Sequence, residues 1–358
     1  REFTARGLIV HIVDSKADFV KSIKTTTAIH NNSGKAEITV VNIQKFSEEA
    51  NVTQKQDYDI NIQRIYFLDE VHRSYNPQGS FLANLTQSDT NSIKIGLTGT
   101  PLITKDYYSK DLFGNYIHKY YYNASIADGY TLRLIREEIE SDYKIVLKDA
   151  LDKIKILKGD IERQKVFAHT NFVEPMLDYI VNDFEKSRLT FSDSSIGGMV
   201  VCDSSDQAKE MFRIFNEKYA LKTEQEEELL QAAEPKADYK TKLKDSYKVK
   251  TAALILHDIG TKDERKDVVE DFKEGEIDFL FVYNMLLTGF DAKRLKKLYI
   301  GRVIKKHNLL QTLTRVNRTY KNLKYGYVVD FADIRAEFDA TNKAYFDELQ
   351  AELGDEME

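Results

Sequence analysis

The chain has 358 residues, a net charge of −6 and 42% hydrophobic residues. That length predicts two or three domains with sizeable cores, and no apolar run approaches the roughly 20 residues of a membrane span. The single cysteine, Cys202, excludes an intramolecular disulfide and fits a reducing cytoplasm. It lies in the apolar run Met199–Cys202, where core packing rather than catalysis is expected. Residues 1–12 lack the ordered regions of a secretory signal, and the start at Arg1 rather than Met leads one to expect a piece of a larger protein.

In chain order, residues 7–13 read as a buried strand and Ser15–His30 as a helix, closed by the turn Asn31–Gly34. Glu37–Ile43, Arg64–Leu68 and Ile93–Leu97 are further strands, with helical segments opening at Gln44 and around Phe81–Leu85. Strands alternating with helices predict a parallel α/β sheet. A tyrosine-rich connector follows over 106–145. A second series then begins: a strand at Lys165–Ala168, a helix at Phe172–Lys186, a strand at Gly198–Cys202 and a helix from Ser204 to Tyr219 with Ser204 as its N-cap. Residues 221–250 read as a charged insertion. Strands are expected at Leu254–His257, Asp278–Tyr283, Leu295–Ile300 and Tyr325–Phe331, with helices at Asp263–Phe272, Leu309–Tyr320 and Ile334–Leu353. The predicted organisation is a first α/β domain at 1–105, the connector at 106–145, a second α/β domain at 146–333 and a closing helix at 334–358.

Four stretches carry chemistry. Asp69 and Glu70 end a buried strand, with His72 two positions on. Acids in that place can hold Mg²⁺, and the neighbouring one can polarise a water that attacks a γ-phosphate. An ordinary solvated turn has the same look. Thr98-Gly99-Thr100 ends the next strand, where its hydroxyls can bond those carboxylates. Thr288-Gly289-Phe290-Asp291 follows a strand of the second series; Gly289 admits close backbone approach to a ligand, and Asp291 could orient a ribose or a catalytic water. Gln311, Arg315 and Arg318 stand at i, i+4 and i+7, which predicts one helical face. Two guanidiniums presented together suit the arginine-finger device, brought from one domain to phosphates held by another.

From Lys293 to Lys324 there are eleven Lys/Arg residues and no Asp or Glu. Such a block predicts either a solvated face or a phosphate-facing surface, with Lys293, Arg294, Arg302, Lys305 and Lys306 as DNA contacts. One apparent motif fails: Ser33-Gly34-Lys35-Ala36 lacks the first glycine and the hydroxyl residue of a phosphate-binding loop, and a strand follows it. No Cys/His set has zinc spacing.

Together these stretches resemble a superfamily 2 helicase-like ATPase. Asp69–His72 looks like motif II, Thr98–Thr100 like motif III, Thr288–Asp291 like motif V and Gln311–Arg318 like motif VI. The finer wording narrows the resemblance: Val41–Phe46, Asp69–Ser74, Gly96–Pro101 followed by Leu112-Phe113-Gly114, and Leu287–Ala292 are similar to the restriction (motor) subunit of type I restriction–modification enzymes, from about Glu37 to Phe331. The resemblance implies two RecA-like parallel-sheet domains with helices on both faces, the first truncated at its N-terminus. It implies ATP and Mg²⁺ as cofactors, hydrolysis coupled to translocation on double-stranded DNA, cleavage by a nuclease domain absent from these residues, and modification and specificity subunits as partners, with no membrane. Lacking a phosphate-binding loop, this piece alone is expected to hydrolyse ATP poorly or not at all. Two other readings stay open: a helicase-like DNA- or protein-binding scaffold without ATPase activity, and a metal-dependent hydrolase using Asp69, Glu70 and His72.

Overall fold

The computed structural model describes residues 2–13, 37–41, 65–69, 92–99, 103–104, 107–108, 113–120, 122–158, 163–220, 246–304 and 306–332. The chain divides into two units, Arg1–Lys119 and Tyr120–Glu358. Expectations for the helices at 15–30, 44–50, 81–85 and 334–353, and for most of the insertion at 221–250, lie outside the described residues. Among the described residues no helix is long and apolar enough to cross a membrane.

In the first unit, helix α1 (Glu2–Ala5) precedes strand β1 (Ile9–Val13), which pairs in parallel with β2 (Glu37–Val41). β3 (Ile65–Leu68) pairs in parallel with β4 (Ile93–Gly96), Leu68 opposite Gly96. β5 (Ile103–Thr104) and β6 (Tyr107–Tyr108) form a short antiparallel pair. β-rich runs end where expected, at the acidic and Thr-Gly turns.

The second unit is built on one sheet. Its chain order is α2 (Tyr122–Ala127), β7 (Arg133–Glu138), α3 (Ser141–Lys158), α4 (Arg163–Phe167), α5 (Thr170–Phe191), β8 (Gly197–Val201), α6 (Ser205–Lys218), β9 (Ala252–Ile255), α7 (Lys262–Glu274), β10 (Phe279–Val282), β11 (Leu295–Ile300), α8 (Lys306–Leu313) and β12 (Tyr325–Asp330). All six strands are parallel, in the spatial order β7-β12-β11-β8-β10-β9. Strands β8, β10 and β11 are buried at every position, which is why β8 and β10 read as continuous apolar runs rather than alternating ones. Phe279, Phe281, Tyr299 and Val329 face a core shared with α5 and α6. Leu280, Val282, Leu298, Ile300 and Val328 face the opposite core with Phe272 of α7 and Leu309 and Leu313 of α8. Helices therefore cover both faces, as expected of this fold class.

Local signals set the helix ends. Ser204 caps α6 by accepting from the Gln207 N–H at 3.1 Å. Thr261 and Glu264 form a capping box on α7, and Gly275 ends it with φ 107°. Two expectations change. Lys165–Ala168 is not a strand; α4 occupies Arg163–Phe167, because the polar residues before Val166 leave too short an apolar run to pair. Within the segment read as a connector, Arg133–Glu138 forms edge strand β7, held by pairing to β12 and by the Arg136–Asp330 ion pair at 2.7 Å.

The strands and the loop after α8 touch with no room to spare at Gly326 of β12. A Cβ added there would press into the Val316 carbonyl, which is backbone and cannot turn aside. Gly326→Ala is therefore expected to cost about 1–3 kcal/mol and to lower the urea midpoint of unfolding; an unchanged midpoint would show that the loop yields freely.

Candidate functional site

Parallel strands end on one edge, so strand tips gather the residues that follow them. β3 delivers Asp69 to the turn just past Leu68, where it is exposed. The Leu97 N–H donates to the Leu68 carbonyl at 2.8 Å, carrying the pairing one residue beyond β4. Thr98 and Gly99 thus emerge beside Asp69's turn; Thr98 is half-buried and Gly99 exposed. Gly96 packs under the Phe113 ring, 3.1 Å from where a Cβ would sit, so Phe113 closes over this strand end. Glu70, His72 and Thr100 lie outside the described residues. A carboxylate and a neighbouring hydroxyl are oxygen donors of the kind Mg²⁺ takes. Among the described residues no three His, Cys, Asp or Glu side chains gather as a metal site.

In the second unit the loop after β10 turns back on itself at Leu286 (φ 63°) and Gly289 (φ 71°). Leu287 and Phe290 anchor it in the core, while Thr288 is half-buried and Gly289 and Asp291 are exposed. The loop after α8 comes to meet it. Arg315 donates to the Phe290 carbonyl through Nη1 and to the Gln311 carbonyl through Nε at 2.8 Å. Arg318 pairs with Asp291, Nε to Oδ1, at 3.2 Å. The two stretches read as motifs V and VI are thereby joined through both arginines.

Their geometry corrects one expectation. Gln311, Arg315 and Arg318 do not share a helical face, because α8 ends at Leu313. Past it the bonds tighten, Arg315 N–H to Thr312 O at 3.1 Å and Val316 N–H to Leu313 O at 3.3 Å. The chain then runs out alongside β7's entrance, with the Leu132 N–H on the Asn317 carbonyl at 2.6 Å and an antiparallel bridge between Thr131 and Arg318. Gln311 is buried. Arg318 and Asp291 are both substantially exposed, at 44% and 60% of their side chains. An exposed pair of that kind contributes at most about 1 kcal/mol, so the Arg318 guanidinium is easily won by a stronger anion.

The basic block splits by depth. Lys293 is exposed, and Arg302 is half-buried with its guanidinium 4.7 Å from the Tyr283 ring and Nη2 on Asn284 Oδ1 at 2.7 Å. Lys305 is outside the described residues, and Lys306 opens α8. Arg294 does not face DNA. It is buried, donating to the carbonyls of Ser195 (2.7 Å), Phe272 (2.7 Å) and Ile277 (2.5 Å). Lys297 is also buried, between Glu137 (3.0 Å), Asp183 (2.7 Å) and Ser187 Oγ (2.8 Å). Lys296 is buried with its Nζ on the Arg318 carbonyl. Neither this last contact nor the Phe113 cover over Gly96 was read from the sequence; the only signal for the first was a lysine inside an apolar strand.

Two family models match the chain: SWI2/SNF2 ATPase over residues 9–165 and type I restriction enzyme subunit R domain 3 over residues 199–333. A type I restriction enzyme endonuclease subunit of Staphylococcus aureus (strain COL), SauCOLORF180P, is 26% identical over 328 residues, covering 84% of this chain and 34% of its own length. The HindI endonuclease subunit of Haemophilus influenzae is 25% identical over 305 residues, covering 78% of this chain and 28% of its own. The chain therefore spans about a third of the length of the curated relatives it matches. Among solved structures, the ATP-dependent type ISP restriction–modification enzyme LlaBIII bound to DNA shares the fold, with a TM-score of 0.53, 8% identity, 91% of this chain covered and 22% of that one. The fold is the RecA-like, helicase-type one.

The burial of Arg294 makes a test. Arg294→Ala strips three carbonyls, that of Phe272 fully buried and those of Ser195 and Ile277 partly so, of their donor and should destabilise the chain by about 3 kcal/mol. Lys293→Ala should stay within about 0.5 kcal/mol. Urea unfolding of both variants checks this; an Arg294→Ala chain of unchanged stability would return that residue to the surface.

Proposed function

We propose that this chain, a relative of the restriction subunits of type I restriction–modification enzymes, forms the helicase-like motor portion of such a subunit. The observation that carries the reading is the joining of Arg315 and Arg318 to Phe290 and Asp291. It supports a loop pair built to meet phosphate charge and to relay it to the sheet. The neighbouring strand tips of Asp69 and Thr98 in the first unit support the metal and water chemistry. The matching family models support both halves.

In this reading Asp69 and Glu70 would hold Mg²⁺, directly or through water, and Glu70 would polarise the attacking water. When bound, Mg²⁺-ATP supplies the phosphoanhydride whose hydrolysis drives the motor. Thr98 and Thr100 would orient the carboxylates, and His72 is assigned to the same nucleotide site by its place in the sequence. Thr288 and Gly289 let the loop approach the nucleotide, and Asp291 receives the ribose or a water once Arg318 leaves it. Gln311 orients the water through its loop, Arg318 stabilises charge on the transferring phosphoryl group, and Arg315 holds the two loops in register for it. Hydrolysis is coupled to translocation on double-stranded DNA, with cleavage by a nuclease domain elsewhere in the subunit and target choice by modification and specificity subunits. DNA contact falls to Lys293, Arg302, Lys305 and Lys306.

The 358 residues contain no Gly-Lys-Ser/Thr loop, so they lack a backbone N–H cradle and lysine for the phosphates. The chain alone is therefore expected to show no ATPase activity with Mg²⁺, with or without DNA, in a phosphate-release assay. Activity that Asp69→Asn abolishes would overturn this.

Binding to double-stranded DNA should rest on phosphate neutralisation. Affinity measured by fluorescence anisotropy on unrelated 30-base-pair duplexes is expected to be alike, and to fall roughly tenfold or more between about 50 and 200 mM salt. A flat salt response, or strong preference for one duplex, would sink the DNA assignment.

A further inference from the structure

β11 places a lysine where a strand so deeply buried would ordinarily carry an apolar residue. The register between β11 and β8 steps from Leu295 opposite Gly197 to Lys297 opposite Gly198, leaving Lys296 as the extra residue of a bulge. A bulge re-aims one side chain relative to the pleat. The Lys296 side chain is fully buried. Its Nζ donates to the Arg318 carbonyl, and lies 6.0 Å from the centre of the Tyr320 ring. Arg318 in turn holds Asp291. The charged and titratable groups facing Lys296 are thus Arg318 and Tyr320 from the loop after α8, and Asp291 from the loop after β10.

We propose that Lys296 is a positioning residue for Arg318: from the core side it grips the Arg318 main chain and sets where the guanidinium meets its anion. Space-filling alone would not call for it, since a methionine fills the same volume without burying an ammonium. The Arg318 main chain is fixed twice, by this donor and by the bridge to Thr131, while its side chain is held, among the described residues, by an exposed carboxylate. A fixed backbone under a releasable side chain is what a residue needs in order to swing between two anions without losing its place.

The charge of Lys296 also reaches Arg318. Burial first, and then the positive charge of Arg318, push the Lys296 pKa down to about 7, against the pull of Asp291. Near neutral pH the lysine is therefore part protonated. Above that it still donates an N–H to the carbonyl but no longer repels the guanidinium, so the Arg318–Asp291 pair should tighten as pH rises through 7.

The functional consequence rests on the reading of Arg318 as phosphate-facing; the positioning does not, and the two are tested apart. The full 358-residue chain is labelled with ¹⁵N at arginine Nε, and the Arg318 Nε–H signal is identified by its loss in Arg318→Lys. In the wild-type chain that signal is expected to shift between pH 6 and 8.5 with a midpoint near 7. Lys296→Met should displace it and remove the pH step. Lys296→Arg should bring it back towards its original position but leave it flat with pH, because an arginine does not titrate there. A folded Lys296→Met chain with the wild-type signal and pH step overturns the proposal. Should neither variant fold, the wild-type titration decides alone: no step near 7 overturns it. Tripolyphosphate is then added to the wild-type chain. A shift of the Arg318 signal supports the phosphate role, and no shift refutes that role while leaving the positioning by Lys296 standing.

Discussion

The burial of β11 is the constraint on which the second unit depends. Together with the residue before it, this strand carries three consecutive-region cations, Arg294, Lys296 and Lys297, into the protein interior. A buried cation is costly unless it is paired or fully hydrogen-bonded, so each one dictates what lies next to it. Arg294 ties the entrance of β8 to the end of α7 through three carbonyls. Lys297 ties β11 to α5 and to edge strand β7 through Asp183, Ser187 and Glu137. Lys296 ties the strand to the loop that presents Arg318. The sheet order, the docking of α5 and the placement of the arginine loop are thus linked through one strand.

That strand also shows why some features were legible in the sequence and others not. The apolar runs of β8, β10 and β12 announce themselves, as do the acids and Thr-Gly turns at strand tips, because a buried parallel strand must end abruptly in polar residues. Hence the places of Asp69, Thr98 and Asp291 past strand ends could be read from the sequence. Depth could not. A count of positive charges over Lys293–Lys324 treats Arg294 and Lys293 alike, although one is enclosed by carbonyls and the other meets solvent. Only the pattern Leu-Lys-Lys-Leu-Tyr-Ile, a strand with no polar face, hinted that its lysines were inside. The end of α8 was misplaced for a related reason. Nothing in Thr314–Asn317 breaks a helix by propensity; the chain leaves it because Asn317 and Arg318 find partners at Leu132 and Thr131, more than 180 positions earlier. Edge strand β7 was missed because Arg-Leu-Ile-Arg-Glu-Glu spends its charges on partners such as Asp330, a pairing invisible before the fold exists.

The two arginines of the α8 loop differ in how they are held, and the difference assigns them different work. Arg315 is committed to main-chain carbonyls on both loops, Phe290 on one and Gln311 on the other. Breaking those contacts would leave carbonyls without their charged donor, which costs far more than an exposed ion pair does. Arg315 is thus a strut that makes the two loops move as one piece. Among the described residues, Arg318 holds the exposed Asp291 by its side chain, while its backbone is pinned at the Thr131 bridge and by Lys296. Its guanidinium can be surrendered to a phosphate without disturbing the loop that carries it. Once it leaves, Asp291 is uncovered on a loop already coupled to the sheet through Leu287 and Phe290. An anion arriving at Arg318 therefore changes the charge on the β10 loop and is felt by the core beneath it, which is the connection the proposed motor reading calls for.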